Sequence, residues 1–125
     1  MSANHFPVMR AMALQAATAL ARYERHVRKL AATWLDMELY ATVSEEVDEI
    51  RRACAPMPEL TVPWTKLLIS HAELVHVLWR SGQEETSLAG HEVDQRLQEH
   101  LACIDFLARR CLRLAETSRS PAPGF

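Results

Sequence analysis

The sequence predicts an all-α protein, a bundle of three to four helices, and three observations carry that prediction. Two apolar rows run through the first third of the chain at seven-residue spacing: Met9, Ala16, Tyr23, Leu30 and Met37, interleaved with Ala13, Leu20, Val27, Trp34 and Ala41. That 4-3 alternation is the pattern of a long helix with a packing seam. The same alternation returns near the other end in Val93, Leu97, His100, Ile104, Leu107, Cys111 and Leu114. Between and around these segments, alternating β patterns and glycine-rich turns are missing, and the 125 residues include only 3 glycines, which leaves helix-on-helix packing as the architecture.

The elements follow in order. A first long helix is expected over residues 8–41, after a short tail at 1–7. Its apolar register then shifts at Val43, Val47, Ile50 and Cys54, one residue early, so a kink or restart is expected near Thr42. Thr42 and Glu45 have the spacing of a capping box that would open a short helix over 43–54. Pro56, Pro58 and Pro63 bound a loop at 55–62, with Pro63 suited to the first turn of the next helix. That medium helix, 63–80, is apolar around much of its circumference, with Trp64, Leu67, Leu68, Ile69, Leu74, Val75, Val77, Leu78 and Trp79, and so is expected to be central. Gly82 supplies a turn, and a second long helix should span 84–116 before a flexible Ser-Pro-Gly tail at 118–125.

Length fits one domain over 1–125, enough to close a core without metal or disulfide props. A net charge of -2 gives no global attraction to nucleic acid or to an anionic membrane, and no helix-turn-helix spacing is present. No stretch reaches the roughly 18 apolar residues of a membrane span. Ala11–Ala21 has a faint leader-like composition, but the heptad rows continue straight through it, which a cleaved peptide has no reason to match. Cys54, Cys103 and Cys111 are odd in number and lack zinc spacing, so reduced thiols in a cytoplasmic protein are the expectation. Two lysines, Lys29 and Lys66, against many arginines and alanines point to a GC-rich bacterial genome.

Few residues suggest chemistry. His71 and His100 fall within the apolar rows of the last two helices, and a hairpin centred near residues 85 and 86 sets them at one level. Facing core histidines can hold a metal or act as a pH-sensitive contact. Two ligands do not make a site, however, and a buried histidine usually hydrogen-bonds a neighbour and stays neutral. Ser70 precedes His71, but adjacent helical residues do not face each other. The run Glu45, Glu46, Asp48, Glu49 reads as charge at the start of the short helix. Arg22, Arg25, Arg28 and Lys29 on outward positions of the first helix, and Arg109, Arg110 and Arg113 near the end of the last, form basic clusters. No nucleophile elbow or phosphate-cradling loop exists.

Two functions are therefore weighed. The first is a non-enzymatic helical interaction protein, an adaptor, chaperone or regulator, working through an apolar groove between long helices without a cofactor. In that reading Ile69, Val77 and Trp79 contribute an exposed patch that drives homodimerisation, and Arg22, Arg25, Arg28 and Lys29 of the first helix are further interaction-surface residues. The second is a metal- or ligand-binding bundle centred on His71 and His100.

Overall fold

The computed structural model describes residues 5–83 and 87–117. The described residues form four helices, α1 (His5–Ala32), α2 (Met37–Cys54), α3 (Thr61–Ser81) and α4 (Ser87–Thr117), with a 3-10 turn at Pro58–Leu60 before α3. They pack as an all-α bundle. Consecutive helices lie side by side, and α1 closes the ring against α4, while the α2–α3 junction is the thinnest. Cross-helix contacts set α1 antiparallel to α2, and α3 antiparallel to α4. Arg22 meets Glu49 and His26 meets Glu46 between α1 and α2, and Ser70 meets His100 and Arg80 meets Glu92 between α3 and α4. Among the described residues, no helix is long and apolar enough to cross a membrane.

The first helix owes its seat to the heptad rows. Ala13, Ala16, Leu20, Tyr23, Val27 and Leu30 are all buried, and they face Ile104, Leu107, Cys111 and Ala115 of α4 in one continuous core. Alanines on this seam let the two long helices approach closely. The rows fail beyond Ala32. The helix ends there and α2 starts at Met37, several residues before the restart expected at Thr42. Asp36 explains the position: it caps α2, its side chain accepting from the Leu39 N–H at 3.0 Å, which satisfies a donor that a helix start leaves orphaned. Thr42 sits inside α2 with its hydroxyl donating to the Glu38 carbonyl. Met37 and Ala41 match the heptad by number alone and are exposed, Met37 at 58%.

The carboxylate run is consequently in the middle of α2 rather than at its start, and it serves contacts between and along helices. Glu46 is buried against His26, Glu49 binds Arg22, and Asp48 binds Arg51 and Arg52, whose hydrogen bonds hold the Asp48 carboxyl below its usual range. At the foot of the bundle the expected loop is a plug. Met57 and Leu60 are wholly buried there, each burial worth about 2 kcal/mol. Helix α1 also begins earlier than expected, at His5, with Pro7 tolerated in the first turn. The tail at 118–125 lies outside the described residues.

Helix α3 is not central. Its buried row is Pro63, Leu67, Ser70, Leu74, Val77 and Leu78, a 4-3 stripe directed mainly at α4. Val77 shares that stripe with Ser70 and Leu74 and is only 3% exposed, so it belongs to the core and not to a surface patch. The opposite face is open, with Val62, Leu68, Ile69 and Trp79 exposed.

At one end of the bundle Trp34, Tyr40 and Trp79 pack edge to face, with ring centroids 5.1 to 6.1 Å apart. Trp34 is half-buried here, against α2 and α3, and does not continue the α1 seam. The Gly82 position lies close to it: a Cβ there would stand 3.5 Å from the indole nitrogen.

Candidate functional site

The most organised polar group in the molecule surrounds Tyr23, in the middle of the bundle. Its hydroxyl lies 2.7 Å from Nδ1 of His71 on α3 and 2.6 Å from Nε2 of His100 on α4. Nδ1 of His100 is 2.6 Å from the Ser70 hydroxyl, which is 3.0 Å from the Leu67 carbonyl. The two histidines do stand at one level, ring centroids 5.8 Å apart. A tyrosine from the first helix bridges them. Tyr23 and His100 are fully buried, Ser70 nearly so and His71 partly.

With the Ser70 hydrogen assigned to the Leu67 carbonyl, counting donors gives one order of protons along this chain of bonds. Ser70 gives its one hydrogen to the Leu67 carbonyl, so it must accept from Nδ1–H of His100. Neutral His100 then keeps a lone pair on Nε2, to which Tyr23 donates. With its hydrogen used, the Tyr23 oxygen accepts from Nδ1–H of His71. Bonds therefore run in one direction from His71 through Tyr23, His100 and Ser70 to the backbone. His71 is left with a lone pair on Nε2. That atom is not sealed in: among the described residues the buried, unpaired side-chain nitrogens are Nε of Arg22 and of Arg80.

This ordering holds while both imidazoles are neutral, and burial makes them so. Desolvation pushes His71 down to about 4, and desolvation together with the neighbouring His71 pushes His100 down to about 3. Burial, with the Glu46 carboxylate nearby, holds the Tyr23 phenol well above its ordinary value. Three groups are thus kept uncharged by the same physical cause, removal from water.

As a metal centre the arrangement is incomplete. Both ring nitrogens of His100 and the inner nitrogen of His71 are engaged in hydrogen bonds, and no cluster of three or more His, Cys, Asp or Glu suited to a metal occurs among the described residues. A metal between the rings would have to displace Tyr23. The arrangement has no nucleophile poised for chemistry either, because Ser70 is committed to the Leu67 carbonyl. Cys54 and Cys111 are buried and free, and the hydrogen bond with Cys54 and burial hold the Cys111 thiol up, the opposite of activation.

The surface residues singled out by sequence divide. Arg22 is turned to α2, its guanidinium 2.7 Å from Glu49. Arg28 pairs with Glu24 along α1, whereas Arg25 and Lys29 stay exposed. Arg109 pairs with Asp105, and Arg110 lies over the Phe106 ring. Ile69 and Trp79 are exposed, at 56% and 41%.

An apolar groove runs along the surface between α1 and α4. About 430 Å³ in volume, it is lined by Leu14, Ala17, Ala21, Ile104, Ala108 and Leu112 among others, and Leu14 and Leu112 carry it on toward Arg10, Ala115 and Glu116. Leu20 and Ile104 lie buried at its floor, with Ala17, Ala21 and Ala108 around them and Thr18 and Glu24 also on the lining. Sequence reasoning placed a groove between long helices but did not name these residues. The available signal was the alanine content of the outer positions of α1. Searches against protein-family models, curated proteins and solved structures find no match to this chain.

Proposed function

We propose that the protein is a non-enzymatic helical interaction protein whose working surface is the groove between α1 and α4. The observation that carries this reading is the groove's construction: Ala17, Ala21 and Ala108 leave a depression over buried Leu20 and Ile104, and the exposed Leu14 and Leu112 stand beside it. An amphipathic helix of a partner protein fits such a surface, because alanines on one side leave room for large apolar side chains on the other. The buried polar residues in the middle of the bundle are, by contrast, spent on one another around Tyr23. A metal or small ligand centred on His71 and His100 is the competing reading, and it requires the Tyr23 bridge to open.

The test compares wild type with Leu14→Glu and Leu112→Glu in affinity capture from the organism that encodes the chain. A partner held by wild type and lost from both variants supports the groove. Identical capture profiles for all three proteins, each shown to be folded, would remove it.

A further inference from the structure

The open face of α3 carries a stripe of exposed positions at heptad spacing. Its outward positions are Val62, Thr65, Ile69, Ala72, His76 and Trp79, all exposed. Val62 and Ile69 are seven apart, Ile69 and Ala72 three, and Ala72 and Trp79 seven. The spacing of the stripe is symmetric about a point between Ser70 and His71, as any heptad stripe is about its centre, and pairs Val62 with Trp79, Thr65 with His76 and Ile69 with Ala72. In heptad terms Val62, Ile69 and His76 occupy one seam position and Thr65, Ala72 and Trp79 the other. Two such helices running antiparallel would set each first-type position against one of the second type.

We propose that α3 packs antiparallel on α3 of a second copy of this chain, about a two-fold axis between Ser70 and His71. Val62 then meets Trp79 of the partner subunit, Ile69 meets Ala72 of the partner subunit, and Thr65 meets His76 of the partner subunit. Large residues face small ones in the apolar layers, and the Thr–His layer offers a hydrogen bond that penalises slipped registers. The flanks agree with the same register. On one side Lys66 comes beside Glu73 of the partner subunit, and the two-fold repeats that pair with opposite sign. On the other, exposed Leu68 and half-buried Val75 widen the apolar seam. Lys66 and Glu73 have only loose partners within the chain, a Phe106 ring 5.7 Å away and Arg96 at 3.7 Å.

In a parallel arrangement the flank carrying Lys66 and Glu73 would face the opposite flank of the partner subunit, so the Lys66–Glu73 cross-pairs form only in the antiparallel one. The seam is about 26 Å long at the helical rise, small for an obligate dimer, so self-association with a Kd on the order of micromolar is expected. This inference rests on the general reading of the protein as an interaction module. It uses a different face from the α1–α4 groove.

Sedimentation equilibrium over a range of micromolar concentrations tests it. Wild type is expected to show a monomer–dimer equilibrium, and Ile69→Glu to remain monomeric. Lys66→Glu alone and Glu73→Lys alone should each weaken the dimer about ten-fold, and the double variant should restore it, because exchanging both charges recreates the same cross-pairs. A wild type that is monomeric throughout overturns the proposal while leaving the groove to its own capture test. A dimer that survives Ile69→Glu, or that is lost in Leu112→Glu instead, overturns the assignment to α3. Failure of the double charge exchange to restore association overturns the antiparallel register. All the substituted positions are exposed, and circular dichroism of each variant confirms that the fold is intact.

Discussion

The chain's two tyrosines stand in contrasting surroundings, Tyr23 in the middle of the bundle and Tyr40 at one end. Tyr23 is fully buried, and its hydroxyl joins two histidines. Tyr40 is half-buried, and its ring packs edge-on against Trp34 and Trp79. In the middle, the buried Tyr23 hydroxyl and both ring nitrogens of His100 find partners, and those partners come from other helices. The Tyr23 bonds consequently tie α1, α3 and α4 to one relative height. At the end, shape and ring contact do the holding, which allows more than one solution. The middle should therefore be brittle and acid-sensitive, and the end tolerant.

Acid should separate the two regions most strongly. His71 and His100 ionise far less readily in the folded chain, near 4 and 3, than at their ordinary value of 6.5. Below pH 6.5 the unfolded chain therefore binds more protons than the folded one, and stability falls as pH falls. The slope approaches about 1.4 kcal/mol per pH unit for each histidine, or about 6 kcal/mol in all by pH 4, comparable to the whole stability of many small domains. Urea unfolding measured at several pH values between 6.5 and 4 checks this. A flat profile would show that these rings are already ionised or not buried.

Tyr23→Phe sharpens the comparison at constant pH. It keeps the ring and removes the bridge, leaving Nε2 of His100 and Nδ1 of His71 without their partner, at an expected cost of about 3 kcal/mol. A loss under about 0.5 kcal/mol would mean that the hydroxyl is not shared as described. Trp34→Ala, at the end of the bundle, should cost less, about 2 kcal/mol, since a half-buried aromatic loses only part of the packing of a core one. Thermal unfolding of the two variants side by side ranks them. An inverted order would place the weight of the fold in the aromatic end.

Much of this was legible in the chain. Residues 13–30 follow the heptad rows faithfully, because a helix pressed on a neighbour along its whole length must keep its apolar side chains on one side. The shared level of His71 and His100 followed from hairpin arithmetic. Val77 illustrates the failure: in a segment apolar almost all round, periodicity does not say which side the neighbour takes, and the neighbour took the side that holds Val77. The break at Thr33–Asp36 was hidden for a related reason. Trp34 and Met37 continue the numerical repeat, and no glycine or proline marks the turn. The stop is made by Asp36 as a cap and by Trp34 turning to the other aromatics, a choice that exists only once α2 and α3 are in place.

The sequence by itself determined the helical class, the seam of the two long helices, the firm boundary at the prolines and the inward direction of the paired histidines. Each of these depends on spacing along one helix, and spacing is a local property. The tertiary structure alone decided that Tyr23 lies between those histidines, that Ser70 orders the protons through His100, and that α3 keeps one face open. Such facts depend on which helices become neighbours and at what height, which is settled by the joint packing of all four and cannot be read from any one of them.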